Sequence, residues 1–200
     1  MSSIPLQSLP LLAEFAVAFT EPTFRRVRVL LLAALLTTGR RTVRNLLRTA
    51  GSLAPGAPSS YHRVLSAAQG SGLRLAALLA RFVVRRFWPA GRIRLVGDDT
   101  VDEHRGKKVY GKARHRDPVR SRHSYTAYRY GHQWVVLAIL VQFPFARRPW
   151  ALPVLVALYR SPPDNQQRGR PHPPPAQLLQ VLLRLLLRWF PDRQFVCAGD

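Results

Sequence analysis

Cysteine is almost absent from this chain of 200 residues, which contains Cys197 alone. A single thiol excludes an intramolecular disulfide and the common cysteine zinc sites, and it is typical of a reducing compartment. Long apolar runs are missing too, because the longest have eight residues each, at 29–36 and 134–141. A membrane-spanning helix needs about 20. The apolar start of the chain has no basic segment before it and is interrupted by Glu14, so no signal peptide is expected. These absences predict a cytoplasmic protein without a transmembrane segment.

Acidic residues are scarce as well. Ten Asp and Glu stand against 31 Lys and Arg, which gives a formal net charge of +21. Only three of the basic residues are lysines, so a biased nucleotide composition of the genome is an alternative explanation for the many arginines. That bias does not explain the shortage of acids. A chain this positive needs a polyanionic partner, and we expect nucleic acid.

The first part of the chain, residues 1–88, is predicted to be a helical domain. Its apolar residues recur at spacings of three and four, which indicates three or four helices, and 51–60 has the composition of a loop. Gly39 is expected to end one helix and Thr42 to cap the next. Four arginines mark the exposed side of that helix: Arg40, Arg41, Arg44 and Arg48. This pattern is typical of a DNA-binding helix-turn-helix, and the alternative is a small bundle with a solvated arginine face.

The second part, 89–200, changes to the pattern of an α/β domain. The predicted elements are a short strand at 92–96 that ends at Gly97, a strand pair at 125–143 with a bend at Gly131 and His132, a strand at 150–160, a surface linker at 162–175, a helix at 176–190 and a strand at 194–198. Pro153 is expected to mark an edge strand. The fold class is therefore α/β in the second domain and α+β overall, with a mixed sheet.

Acidic residues cluster after the first of these strands. Four of the ten acids lie in one six-residue window: Asp98, Asp99, Asp102 and Glu103. The strand at 194–198 also runs into an acid, Asp200. Carboxylates at the ends of neighbouring strands can converge on a divalent cation such as Mg²⁺. The alternative for the first cluster is a turn, which explains Asp102 and Glu103 better than the doublet.

A basic, aromatic segment follows the acids. Its cations are Arg105, Lys107, Lys108, Lys112, Arg114, Arg116, Arg120 and Arg122, interleaved with Tyr110, His115, His123, Tyr125, Tyr128 and Tyr130. Phosphate contacts, with aromatic rings for unstacked bases, are the functional interpretation, and the alternative is a solvated loop. The histidines are interpreted as loop residues that face DNA. Gly106, Gly111 and Lys112 match the spacing of a phosphate-binding loop, but Ala113 replaces the hydroxyl residue that such a loop needs.

The runs LVGDDTVDEHRGKKVYG, YRYGHQWVVLAILVQFP and WALPVLVALYR resemble the opening of the catalytic domain of DDE-type insertion-sequence transposases, which have an RNase H-like fold. The resemblance covers about residues 92–200. It implies that Asp98 is the first catalytic carboxylate, or Asp99 if the strand is one residue longer, and that Asp200 is the second. The family's third acid is a Glu far downstream, so the resemblance implies an incomplete RNase H-like domain and a truncated enzyme, inactive alone.

The same resemblance implies the activity. Mg²⁺, or alternatively Mn²⁺, held by Asp98 and Asp200 would support cleavage at transposon ends and transfer to target DNA. It also implies a bacterial protein that associates with the nucleoid through DNA, with a homodimer as a candidate assembly of the intact enzyme. The alternatives are a basic DNA-binding fragment without catalysis and an RNA-associated basic protein.

Overall fold

The computed structural model describes residues 8–104, 106, 109–117 and 119–199, and the chain separates into two compact units. The first unit ends at Leu78 and the second begins at Leu79, so the division falls inside a helix. Within the described residues, no helix is both long and apolar enough to cross a membrane.

Helices and their connections make up the described part of the chain as far as Phe87, as the apolar spacing predicts. They are α1 (Ser8–Ala13), α2 (Glu21–Leu36), α3 (Val43–Ala50), α4 (Pro58–Ser66) and α5 (Gly72–Phe87), with 3-10 turns at Ala16–Ala18 and Gly51–Leu53. Helices α2, α3 and α4 share one core, built from Leu30, Ala33, Val43, Leu46 and Tyr61. Burial raises the pKa of the Tyr61 phenol, whose hydroxyl donates to the carbonyl of Pro55 at 3.1 Å.

The connection between α2 and α3 contains the helix-ending glycine and the helix cap that the sequence predicted. Gly39 has a φ of 89°, a left-handed conformation that glycine adopts without strain. Thr42 caps α3, because its hydroxyl accepts a hydrogen bond from the amide of Asn45 at 3.3 Å. The predicted loop at 51–60 is too long: α4 already begins at Pro58, since the fixed φ of proline suits the first turn of a helix.

The second unit contains one five-stranded mixed sheet. Its elements are β1 (Ile93–Glu103), β2 (Ala113–Arg116), β3 (Tyr128–Val141), β4 (Trp150–Tyr159), α6 (Pro162–Gln167), α7 (Pro175–Trp189) and β5 (Phe195–Gly199). Strand β1 lies between β3 and β5. It pairs antiparallel with β3 and parallel with β5. Strands β2 and β4 pair antiparallel with β3. Three antiparallel strands followed by a helix and a parallel strand beside the first confirm the α/β, RNase H-like fold.

Strand β1 is longer than predicted. The sequence indicated an end at Gly97, yet pairing with β3 continues to Glu103 opposite Gly131. Asp98 and Asp99 therefore lie inside a strand and not after one. Cross-strand pairing overrides the low strand propensity of Asp, because a long neighbour supplies hydrogen bonds along the whole edge.

Strand β3 is also continuous where a bend was predicted. Gly131 lies within the strand, and a Cβ built on it would overlap the carbonyl group of Asp102. The glycine thus permits a close approach of β1 and does not make a turn. Two further predictions were incomplete, since the basic segment contains strand β2 and the linker at 162–175 contains helix α6.

The remaining elements agree with the prediction. Helix α7 and strands β4 and β5 lie within a residue or so of the expected bounds. Within the described chain β4 pairs with β3 alone, so Pro153 lies on an edge strand, and the register shifts beside it between Leu137 and Ala138.

Candidate active site

The pleat of β1 sends its two neighbouring aspartates to opposite sides of the sheet, because successive side chains of a strand alternate. The pairing with β3 is regular from Leu95 to Glu103, so no irregularity disturbs this alternation. We call the side that carries the even-numbered residues of β1 and β3 the Asp98 face, and the other side the Asp99 face. The doublet that looked like one site in the sequence is therefore divided between two surfaces.

The Asp99 face is the covered one. Leu95, Leu137 and Ile139 on this face are almost completely buried. Helix α7 lies over them, since a Cβ built on Gly97 would meet the side chain of Leu179. Burial of a Leu or Ile side chain contributes roughly 1.5–3 kcal/mol, so this face holds much of the core of the unit.

Asp99 lies on this face beyond the buried apolar residues, at the end of the face that carries polar side chains. Its carboxylate accepts a short hydrogen bond from the side-chain amide of Gln133. His115 of β2 lies on the same face, 96% buried, with its ring centroid 5.8 Å from that of Tyr159. Burial is the main reason that the pKa of His115 lies below its usual range. The prediction that His115 is a loop residue facing DNA is therefore wrong.

Asp98 lies on the other face and, like Asp99, is exposed. Its carboxylate accepts a hydrogen bond of 2.8 Å from the backbone amide of Asp99. Its register partner on β3 is Val136. An exposed carboxylate with one hydrogen bond has further acceptor positions, which suits an oxygen ligand for a hard cation.

Parallel pairing with β5 brings the end of that strand beside Asp98. The register matches Gly97 with Gly199, directly before Asp98 and Asp200 in the sequence. Asp200 itself lies outside the described residues.

Hydrogen bonds at the start of both strands hold this register. The amide of Ile93 donates to the carbonyl of Gln194 at 2.9 Å. The guanidinium of Arg193 donates to the carbonyls of Trp88 at 2.7 Å and of Gly91 at 3.2 Å. These contacts connect the segment before β1 to the segment before β5, so they fix how the two strands are aligned.

Further along the Asp98 face, a polar cluster follows the acids. Nε2 of His104 lies 3.4 Å from the carboxylate of Asp102, and the ring centroids of His104 and His132 are 4.5 Å apart. Nε2 of His132 donates a hydrogen bond to the carbonyl of Tyr110 at 2.7 Å. No group of three His, Cys, Asp or Glu side chains within the described part of the chain is arranged to hold a metal ion.

The basic segment lies only partly within the described residues. Arg105, Lys107 and Lys108 fall outside them. Lys112 donates to the carbonyl of Gly106 at 2.8 Å, whereas Arg114 and Arg116 are exposed on β2. The cations of this segment that are proposed to contact DNA therefore lie on a strand as well as in a loop.

A buried acid anchors the hairpin that continues this segment. Asp117 is 3% exposed and forms an ion pair with Arg129 at 2.5 Å. Its other carboxylate oxygen accepts from the amides of Val119 and Arg120 at 3.1 and 3.3 Å. Sequence reasoning missed this residue. An acid followed by proline in a basic run is a turn signal that would have identified it.

In the first unit, the four predicted arginines are all exposed. Arg44 and Arg48 are one turn apart on α3, opposite the buried Val43 and Leu46. Arg41 also has a structural role, because its Nε donates to the carbonyl of Ala34 near the end of α2 at 2.9 Å.

Comparison with protein families matches residues 14–199 to the family described as DDE superfamily endonuclease. No curated protein and no solved structure matches the chain. The match extends across both units and includes β1, β3, β4 and β5. Endonucleases of this superfamily act on DNA and generally use divalent metal ions, so DNA is the substrate that membership implies. The chain belongs to the DDE superfamily endonucleases.

Proposed function

We propose that this protein is a transposase that binds DNA and cuts it with a divalent metal ion held by Asp98 and Asp200. One observation carries the proposal: β1 and β5 are parallel neighbours in a register that matches Gly97 with Gly199. Paired positions of adjacent strands present their side chains on the same face. If both strands continue in this register, the next pair would consist of the two acids.

The groups around Asp98 fit a hard cation. Its exposed carboxylate supplies oxygen ligands, and the amide of Asp99 already satisfies one of its acceptor positions. Mg²⁺ is usually bound by one or two carboxylates together with water and substrate phosphate. Mn²⁺ prefers similar oxygen ligands.

The protein's own residues would position the substrate for the reaction. A bound divalent ion supplies charge neutralisation at the phosphate and activation of the attacking oxygen. Asp98 would hold that ion at the surface, while Arg114 and Arg116 on the same face of the sheet would contact the DNA backbone. Asp99 would not hold this ion, because it lies on the opposite face from Asp98 and its carboxylate is bonded to Gln133.

Metal titration tests the proposed site directly. We expect the chain to bind Mn²⁺, followed by electron paramagnetic resonance, and the Asp98→Asn and Asp200→Asn variants to lose at least about tenfold in affinity. Asp102→Asn is the matched control, since Asp102 is an exposed acid on the same face of the same strand. Equal losses in all three variants would indicate a diffuse effect of charge, and an unchanged affinity in Asp98→Asn would overturn the site.

DNA binding is tested by its salt dependence. For about 6–10 phosphate contacts, affinity for duplex DNA should fall about 10³- to 10⁵-fold between 50 and 200 mM salt. The variant Arg44→Gln/Arg48→Gln should reduce the slope and weaken binding to all sequences alike if α3 contacts phosphates. A loss confined to one sequence would instead mean that α3 reads bases in a groove, as the second helix of a helix-turn-helix does.

The two parts of the chain would then have different roles. The helical part, residues 1–88, would bind DNA, and residues 89–200 would form the catalytic domain. The substrates would be transposon ends and a target DNA, and a homodimer would hold two ends together.

A second candidate function is DNA binding without catalysis. The exposed arginines of α3 favour it, because phosphate contacts of this kind need no metal ion. The metal titration separates the two candidates: undiminished DNA affinity in a chain that binds no Mn²⁺ would favour this second function.

A further inference from the structure

Two exposed tyrosines of β3 stand side by side on the Asp98 face. Tyr128 and Tyr130 are alternate residues of the strand, and their side chains are 48% and 57% exposed. Their register partners on β2 are Arg116 and Arg114. The same sheet surface that carries Asp98 therefore continues into a strip of aromatic rings and cations.

The cations lie against the rings. The guanidinium of Arg114 is 3.7 Å from the ring centroid of Tyr128, and Nζ of Lys112 is 5.8 Å from that of Tyr130. Contacts of this type restrict the rings while they leave positive charge beside them. The strip is thus suited to a ligand that has both flat rings and negative charge.

A recess opens beside the tyrosines where β1 stops. The backbone amide of His104, just past the end of β1, donates to the carbonyl of Tyr130 at 3.0 Å. The recess has a volume of about 360 Å³ and is lined by Glu103, His104, Lys112, Arg120, Tyr128, Arg129 and Tyr130. Sites for small ligands are roughly 300–1,000 Å³, so the space is sufficient for a single base.

We infer that Tyr128 and Tyr130 form a stacking site for unpaired bases of single-stranded DNA. In a duplex the faces of the bases are covered by their neighbours, so a protein ring can stack only on a base that has left the helix. Basic side chains beside the rings match the phosphates of the strand, and base–aromatic stacking tolerates any sequence. The inference rests on the proposed function in that DNA is the substrate, and it adds that the strand near Asp98 is frayed or single.

Tyr110, another tyrosine of the segment, is not among the residues that line the recess. The ring of Tyr110 is contacted by the guanidinium groups of both Arg160 at 4.5 Å and Arg168 at 5.1 Å. Its hydroxyl also accepts a short hydrogen bond from Arg160. The hydroxyl of Tyr110 is thus bonded within the protein, whereas Tyr128 and Tyr130 line the recess.

Fluorescence anisotropy with the full chain tests the inference. The probes are a blunt duplex, the same duplex with a short single-stranded overhang, and the overhang with abasic sites in place of bases. All are measured in EDTA at one salt concentration, so the result does not depend on a metal site. We expect the overhang to bind more tightly than the abasic form, by about 5- to 150-fold for each base that stacks.

Variants assign the difference to the two rings. Tyr128→Leu/Tyr130→Leu should remove the advantage of bases over abasic sites, and Tyr128→Phe/Tyr130→Phe should retain it, because phenylalanine stacks without a hydroxyl. Tyr125→Leu is the matched control, since Tyr125 is an exposed tyrosine outside the recess. It should keep the full advantage.

Several outcomes would overturn the inference. Equal affinity of the unaltered chain for the base-bearing and abasic overhangs would do so even if the leucine variant failed to fold. An equal loss in Tyr125→Leu would assign stacking to the hairpin loop, and tighter binding to RNA of the same sequence would make RNA the ligand. If the chain bound no Mn²⁺ at all, the proposed active site would be overturned, but the result on base stacking would be unaffected.

Discussion

The two faces of the second unit's sheet have the same strands and opposite chemistry. The Asp99 face buries Leu95, Leu137 and Ile139 under α7, while the Asp98 face exposes Asp98 and the tyrosine strip of β3. The backbone of β1 and β3 serves both faces at once. One face therefore provides the rigidity with which the other can present charged groups, and neighbouring residues have unrelated roles because they point in opposite directions.

Shortening two neighbouring side chains of β3, one on each face, should give the largest difference in stability between the faces. Leu137→Ala, on the Asp99 face, should lower the free energy of unfolding by about 2–5 kcal/mol, because the side chain is fully buried and leaves a cavity. Val136→Ala, one residue away on the Asp98 face, should cost much less, since Val136 is half-buried. Chemical denaturation measures both. Equal losses would mean that the faces are equally packed.

The second test of the comparison uses the two glycines of the β1–β3 pair that lie on the Asp99 face. Gly131→Ala should lower the free energy of unfolding by about 3 kcal/mol, because the added methyl group overlaps the backbone of Asp102 and β1 must move. Gly97→Ala meets only the end of the Leu179 side chain, so about 1 kcal/mol is expected. Thermal unfolding distinguishes them, and a reversed order would show that α7 is the less adaptable neighbour.

A pH titration of stability examines the polar end of the Asp99 face. Burial lowers the pKa of His115 in the folded chain, whereas in the unfolded chain it is about 6.5. Below that pH the unfolded chain takes up a proton first, so the free energy of unfolding should fall as the pH falls, by at most about 1.4 kcal/mol per pH unit. His115→Leu should flatten this slope relative to the unaltered chain. An identical slope would mean that other histidines cause it.

The smallest expected effect concerns the affinity for DNA. Asp98→Asn removes an exposed negative charge from the face proposed to contact phosphates, so duplex affinity should stay equal or rise, by up to about fivefold. Asp99→Asn should change the affinity less, because Asp99 points to the other face. Fluorescence anisotropy at low salt measures the duplex affinities of both variants and of the unaltered chain. A clear loss of affinity in Asp98→Asn would place that carboxylate in a direct contact with DNA or in the fold itself.

Sequence reasoning succeeded where a local signal was strong. Helix α7 has apolar residues at helical spacing, Thr42 has the chemistry of a cap, and β5 is a short apolar run, so all three were predictable. The order of the elements predicted an α/β domain, and the resemblance to DDE-type transposases predicted that its fold is RNase H-like. Residue types alone could also locate Asp98 as a site candidate.

The sequence could not supply what depends on pairing between distant segments. The extension of β1 past Gly97 comes from its long partner β3, and the role of Gly131 depends on the approach of Asp102. Burial of His115 depends on β2, which the basic composition of the segment concealed. In each case a contact between residues far apart in the chain decided against the local signal.

Strand β5 forms the end of the sheet in the described part of the chain, with β1 as its partner. A strand edge with free backbone groups is a template for another strand, and Val196 on this one is 52% exposed. Concentrated preparations are therefore expected to self-associate edge to edge. The exposed thiol of Cys197 lies on the same strand, so air oxidation would make such aggregates covalent, and a reductant would keep them reversible.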